Sequence, residues 1–476
     1  MNPTEDQRSS RTESVSPHRT EHDQPSRPSS NVDPEKNAVP DQSTEDDSHP
    51  QLYNFWAPEL AQERKTYLAG IAKLTFLIIL LIWGIMAVYW GSLWKANTKT
   101  GELEAWIINR DSAGGTIGNT TISALLESKL NNEFKHLNWQ VIDPAQYPTA
   151  ADVQHAVAVD EKAWMAVEIT QDVTARLFTA RANGDASWSS QGQVMMYYSE
   201  ARSNTAVPGY VLSPTQQLLT MTFSRLASQL AADYLTQIAG NATAVSALAR
   251  APQTIANPIV ATPENLRPFN QPVATAPTFV GLIYIVILAL NVTLGNFGMR
   301  QAIQSKLKIS SLIAMRFLIP ITMYLVLSFN YSMLNLPFQL DFNGWKLGYG
   351  AGFMTFAAAT WCGMVVLGLI IECALCLVGQ QFIGFFLIVL IIANVSTVVL
   401  PTALQPHFYR YGYALPFFHL KSIYTCIIFN TGKHVLILYH FGILWVWFLI
   451  LGLTFPIWII LERKRLTPAA KVAAKK

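Results

Sequence analysis

Six long apolar runs, with one extended polar stretch between the first and the second, dominate this chain of 476 residues. Each run can cross a bilayer as a helix, which takes about 20 residues at 1.5 Å rise per residue. The pattern predicts a polytopic α-helical membrane protein of six transmembrane helices, with one large domain inserted between helices one and two. Composition agrees: 14% of residues are charged, against about 25% in an average soluble chain. The formal net charge of +3 is too small to argue for nucleic acid as a partner. It conceals an asymmetry, with acids in excess near the N-terminus and Lys and Arg in excess near the C-terminus.

The domain plan follows from these runs. Residues 1–66 form an acidic tail rich in Ser, Pro, Asp and Glu, expected to be disordered. Helix one occupies 67–94 and, with no cleavable signal peptide ahead of it, is expected to act as signal-anchor. Tyr89, Trp90 and Trp94 make an aromatic belt at its far end. Residues 95–276 form the inserted domain, ending in a linker over Ala251–Pro277. Helices two to six occupy 277–461, with apolar cores at Thr278–Phe297, Ile309–Phe329, Leu347–Val378, Phe382–Leu400 and Val435–Leu461. Within this region, 402–434 is an outer segment whose stretch Ala414–Phe429 is too short to cross, so a re-entrant or interfacial helix is expected. A seventh span would put Lys433 and the C-terminal charges on the wrong sides. Residues 462–476 are a basic tail suited to anionic lipid.

Arg64, Lys65 and Lys73, then Arg300, Lys306 and Lys308, then Arg463, Lys464 and Arg465 fall on one side of a six-span plan. That side is cytoplasmic by the positive-inside rule, so both chain ends are cytoplasmic and the inserted domain is extracytoplasmic. Two glycosylation sequons, at Asn119 and Asn241, lie in that domain. All four cysteines (Cys362, Cys373, Cys376, Cys426) fall in the later membrane region, so the domain has no disulfides and relies on its own core. Its sequence alternates strand-like pieces (Leu103–Asp111, Gln140–Ile142, Ala163–Ile169) with helix-like ones (Thr121–Leu130, Thr215–Ala239), which argues an α/β domain.

Enzyme chemistry is not written in the chain. No P-loop, HExxH, GxSxG, EF-hand or paired-cysteine zinc pattern occurs. Cys373-Ala-Leu-Cys376 lies inside a span without a second pair, so packing thiols are favoured over a metal site, and no cofactor is expected. Two charges inside spans matter more. Arg316 and Glu372 fall at one depth on antiparallel neighbours, each roughly 10 Å inside its span. A charge in hydrocarbon costs at least about 2.5–3.5 kcal/mol, so a partner or water must compensate. Pairing of Arg316 with Glu372 is expected, the alternative being that each snorkels to headgroups independently. Gly348, Gly352, Ala359 and Gly363 recur at helical spacing, a smooth stripe for close helix packing. Asn291, Asn296, Gln380, Gln381, Asn394, Ser396, Thr397 and His440 either line a hydrated groove or bond helix to helix.

The stretches LEAWIINRDSAGG (Leu103–Gly115), AWMAVEITQDVTARL (Ala163–Leu177) and YGYALPFFHLKSIYTCIIFNTGKH (Tyr411–His434) resemble the fungal nitrosoguanidine-resistance proteins, a six-span family with a domain of unassigned function. The first two also resemble the outer domain of phage-infection proteins, which have a type-2 ABC permease-like membrane fold. The resemblance implies a plasma-membrane protein, with the endoplasmic reticulum as alternative, linked to drug resistance and to phospholipid distribution between leaflets. It implies a homodimer by analogy with paired permease halves, and supplies no catalytic or binding residues. Two functions stand: an exporter-like protein drawing energy from an ATPase partner or gradient, or a non-transporting scaffold or regulator of lipid-translocating proteins.

Overall fold

The computed structural model describes residues 53–130, 135–344 and 348–473. The greater part of the expected acidic tail, 1–52, lies outside the described residues. Two units are distinguished, Met1–Ala69 and Gly70–Lys476. In the first, Arg64 Nη1 donates to the carbonyls of Phe55 at 2.8 Å and Ala57 at 3.2 Å, and its guanidinium lies 5.3 Å from the Trp56 ring centre. Helix α1 (Ala61–Leu81) begins inside the stretch read as tail, because Pro58 starts a short turn that leads straight into it. After one wide turn at Ile82–Met86 it continues as α2 (Ala87–Leu93).

The inserted domain then runs β1 (Glu104–Asn109), α3 (Thr116–Glu127), β2 (Asn138–Ile142), α4 (Ala150–Ala158), β3 (Met165–Ile169), α5 (Val173–Asn183), β4 (Val194–Tyr198), α6 (Ser213–Ile238), α7 (Ala242–Arg250), α8 (Gln253–Ala256) and β5 (Ala261–Asn265). The strands form one sheet in the order β2-β1-β3-β4-β5. β1 is parallel to both β2 and β3, β3 is antiparallel to β4, and β4 is parallel to β5. All five residues of β3 are buried, as a central strand covered on both faces requires. Helices α3, α5 and α6 cover one face, with Ile117, Leu177, Leu219 and Phe223 in a shared core with Ile107 and Val167. Helix α4 covers the other, where Trp106, Ile108, Val153 and Val157 meet.

The linker expected over Ala251–Pro277 is corrected here, since it contains α8 and β5. A strand reading Ala-Thr-Pro-Glu-Asn is polar and carries Pro263, which hides it from pattern reading. It is tolerated because β5 is the edge of the sheet, where a missing N–H costs no ladder bond.

The membrane region runs α9 (Gly281–Arg300), α10 (Ile309–Met333), α11 (Tyr349–Val378), α12 (Ile383–Val395), α13 (Pro416–Phe429) and α14 (Leu436–Ala473). Among the described residues, five helices are long and apolar enough to cross a membrane: Pro58–Thr98, Pro272–Arg300, Ile309–Met333, Tyr349–Val378 and Leu436–Arg465. The span expected at Phe382–Leu400 is a shorter apolar helix, Gln380–Val395. Its length of about 24 Å falls short of a hydrocarbon core of about 30 Å. Near its end the Asn394 side chain donates to Leu390 O at 2.9 Å and accepts from Phe417 N at 3.3 Å. Helix α11 is the axis of the bundle. Its most apolar window is 72% buried, against 6% for the first span. It packs on α9, α10, α13 and α14 and ends at Gly379, whose φ of +80° suits only glycine at low cost.

The segment 402–434 is neither a surface loop nor a helix floating at an interface. Ten residues of α13 are buried, more than a one-sided amphipathic helix in a lipid interface would bury. This segment and the chain just before it anchor the inserted domain. Thr205 Oγ1 donates to Val399 O at 2.9 Å, Arg267 Nε donates to Asn430 O at 3.0 Å, and Lys433 Nζ lies 3.1 Å from Asp160 Oδ1. Residues 462–476, read as a tail, continue helix α14 as far as Ala473.

Candidate functional site

Four helices bring charge together inside the bundle. Arg316 on α10 directs Nε to Glu372 Oε1 on α11 at 2.8 Å, and Arg300 at the end of α9 directs Nη1 to the same oxygen at 2.6 Å. Arg316 Nη1 pairs with Glu462 Oε2 on α14, and its Nη2 reaches Cys376 Sγ at 3.0 Å. Arg300, Arg316 and Glu372 are each no more than 3% exposed. Two guanidinium groups and two carboxylates therefore close one neutral cluster that ties α9, α10, α11 and α14. Burying it is costly, and breaking one partner out of such a cluster costs about 3–5 kcal/mol.

The cluster is not fully satisfied. Arg300 Nε and Nη2, Glu372 Oε2 and Asn296 Nδ2 are buried and lack hydrogen-bond partners among the described residues. Asn296 precedes Arg300 by one helical turn on the same face of α9. Arg300 and Glu462 were not singled out from sequence. Arg300 looked like a loop charge because the apolar run ends before it, and Glu462 was masked by Arg463, Lys464 and Arg465. The one available signal was the four-residue step from Asn296.

The other candidate residues do not gather into a common groove. Asn291 is exposed on the outer face of α9, and Gln380 and Gln381 are exposed in the turn after Gly379. Asn394 is fully buried and joins α12 to α13 through the Phe417 amide. His440 Nδ1 lies 2.9 Å from His419 Nδ1, while His419 Nε2 lies 2.9 Å from Tyr413 O. The carbonyl can only accept, so His419 carries its proton on Nε2 and His440 donates from Nδ1. Ser396 and Thr397 return their hydroxyls to Ile392 O and Asn394 O.

The small-residue stripe is also revised. A Cβ on Gly352 would lie 2.3 Å from Phe342 O, and one on Gly363 would lie 2.6 Å from Leu420 Cδ1. Ala359 is fully buried. Gly348, in contrast, caps the start of α11 with φ +86° and has open space around it. Gly368 belongs in its place, because a Cβ there would meet Tyr324 Oη at 2.2 Å.

A second polar centre lies in the inserted domain, where the chain leaves β1 for α3 and β3 for α5. This is a topological switch point, the crevice in which open α/β sheets hold ligands. The Asp111 carboxylate occupies it. Oδ2 accepts from Gly118 N at 3.2 Å and from Thr174 Oγ1, and Oδ1 accepts from Thr174 N at 3.1 Å. The amino ends of α3 and α5 are thus capped by one side chain of the chain itself. Both sequons are reachable: Asn119 is exposed on α3, and Asn241 is exposed at the start of α7, where only Oδ1 is used, accepting from Ala244 N at 3.1 Å. Among the described residues no three His, Cys, Asp or Glu are grouped to hold a metal ion.

Over 427 residues the chain is 24% identical to an uncharacterized endoplasmic reticulum membrane protein of Saccharomyces cerevisiae, YJR015W, covering 84% of this chain and 82% of that one. No solved structure matches it. The family described as a protein of unknown function, DUF3533, covers residues 74–453, from the first span well into the last, and the chain belongs to that family.

Proposed function

We propose that this protein is a non-enzymatic membrane regulator that carries its inserted domain on the non-cytoplasmic face and influences phospholipid distribution, and with it resistance to toxic compounds. The observation that carries this reading is the neutral charge cluster of Arg300, Arg316, Glu372 and Glu462. It latches four helices where a conduit would need them to part. The polar residues of the bundle support the same reading, since buried Asn394, Ser396 and Thr397 and the half-buried His440 are each spent on protein contacts. The resemblance to nitrosoguanidine-resistance proteins supplies the link to lipid and drug phenotypes and to the plasma membrane. The name of the yeast relative supports the endoplasmic reticulum as the alternative compartment. A lipid-translocating protein is the partner such a regulator requires.

The exporter reading retains one supporting observation. The unpartnered atoms of Arg300 and Glu372 leave the latch under-satisfied, and a rearranged bundle would relieve that cost. Reconstitution separates the two. Purified full-length chain in liposomes is expected to leave fluorescent phospholipid and dye gradients unchanged, while deletion in cells alters leaflet exposure and drug sensitivity. Lipid or drug flux from the purified chain alone would overturn the regulator in favour of the exporter.

A further inference from the structure

A cavity of about 310 Å³ lies where the inserted domain meets the chain that follows α12. That is the lower end of the range for small-molecule sites, about 300–1,000 Å³. Trp164, Arg202 and Glu161 form its wall on the domain side, and Tyr413, Phe418 and Lys421 face them from the membrane region.

The charges are unequal. Arg202 is already satisfied: Nη1 donates to Ala163 O and Nη2 to Glu161 O, both at 2.9 Å, and Nε lies 3.5 Å from Glu161 Oε2. Its guanidinium stacks 3.9 Å from the Trp164 ring centre. Lys421 differs. Nζ donates to Val398 O at 2.6 Å, and among the described residues it has no carboxylate partner. An ammonium carries three N–H bonds, so two remain for a guest. Ser422 and Thr425 give their hydroxyl protons to their own helix, at Phe418 O and Lys421 O. The cavity thus holds Lys421 and Arg202 against Glu161, one net positive charge.

We propose that this cavity binds an anionic oxygen group of the phosphodiester class, with Lys421 as the ligating cation. Position favours a lipid as its source. Val398 follows the end of the apolar helix α12 at Val395 by three residues, and Leu400 already belongs to the core of the inserted domain, so the cavity lies at the junction of the apolar bundle with that domain. Phe418 and Leu400 add apolar wall beside the charge. A soluble phosphate presents the same oxygens and is the other source. Binding here requires neither transport nor its absence, so the inference stands or falls apart from the regulator reading.

Thermal unfolding of the full-length chain in neutral detergent, titrated with dihexanoyl phosphatidylglycerol and separately with inorganic phosphate, tests it. The expected result is a saturable rise in Tm with the lipid. The apparent affinity should weaken about tenfold or more in Lys421→Gln, as for loss of a charge-assisted bond, and persist in Lys421→Arg and Lys433→Gln. A saturable response to inorganic phosphate with the same dependence on Lys421 supports the site with a soluble source. Should Lys421→Gln fail to fold, Ser422→Asp, which gives Lys421 a resident carboxylate, should produce the same weakening. No saturable response to either probe, or an unchanged response in both Lys421→Gln and Ser422→Asp, overturns the proposal.

Discussion

Arg300 Nη1 lies 2.6 Å from Glu372 Oε1, joining the end of α9 to α11 inside the helical bundle. Because Arg316 reaches the same oxygen at 2.8 Å, Glu372 is the carboxylate that both arginines share, while Arg316 alone also holds Glu462. Glu372→Gln should therefore destabilise the protein most, by about 3–5 kcal/mol, since it leaves Arg300 without a carboxylate. Arg300→Gln should cost less, because Arg316 still satisfies Glu372. A double-mutant cycle of Arg316→Gln with Glu372→Gln, read by thermal unfolding in detergent, should show coupling above about 1 kcal/mol. Additive losses would mean that the two charges are held independently.

The two close-packing glycines of α11 should differ in what they tolerate. At Gly352 the obstacle is a backbone oxygen, Phe342 O, which cannot turn aside. At Gly363 it is the far end of the Leu420 side chain, which can change rotamer. Gly352→Ala is expected to cost about 1–3 kcal/mol by overpacking, and Gly363→Ala distinctly less. Unfolding temperatures of the two variants side by side decide the order. Equal losses would place the strain elsewhere.

Asp111 should matter to the inserted domain and little to the bundle. Its carboxylate is the shared cap of α3 and α5, accepting from Gly118 N, Thr174 N and Thr174 Oγ1. Asp111→Ala strands buried donors at both helix starts, each costing about 1–3 kcal/mol. The expected outcome is faster limited proteolysis within 95–276 while the helical region stays intact. Uniform sensitivity of the whole chain would contradict this division.

Sequence reading succeeded where one local signal was enough and failed where partners met only in three dimensions. Among the described residues, five of the six expected spans coincide with helices long and apolar enough to cross a membrane, because hydropathy over about 20 residues is a local property. Arg316 and Glu372 stood out as charges inside apolar runs, whereas Arg300 and Glu462, at the ends of theirs, looked like surface charges. Helix α12 is shorter than the apolar run that marks it, since Leu400 belongs to the core of the inserted domain and Val399 packs against that core. The same principle hid β5, whose polar sequence is acceptable only at a sheet edge. The docking of the domain onto 402–434 is a long-range contact for which no periodicity in either segment gives warning.

Lys421 links the cavity to pH, with opposite signs for the empty and the occupied protein. Burial, with no neighbouring acid to offset it, lowers its ammonium pKa from 10.5 to about 8. The other titratable groups lining the cavity are Glu161, Arg202 and Tyr413. Below pH about 8 the folded chain carries the buried charge and its cost in full. Between that value and 10.5 the unfolded chain binds more protons than the folded one, so stability gains from this group as pH rises. An anionic guest needs the charged form, so its stabilising effect should decline across the same window. Unfolding temperatures at pH 7 and pH 9.5, with and without dihexanoyl phosphatidylglycerol, should therefore converge at the higher pH for the wild type. In Lys421→Arg, which stays charged throughout, the lipid-induced shift should persist at both values. A lipid response in the wild type that grows with pH would assign the binding to a different group.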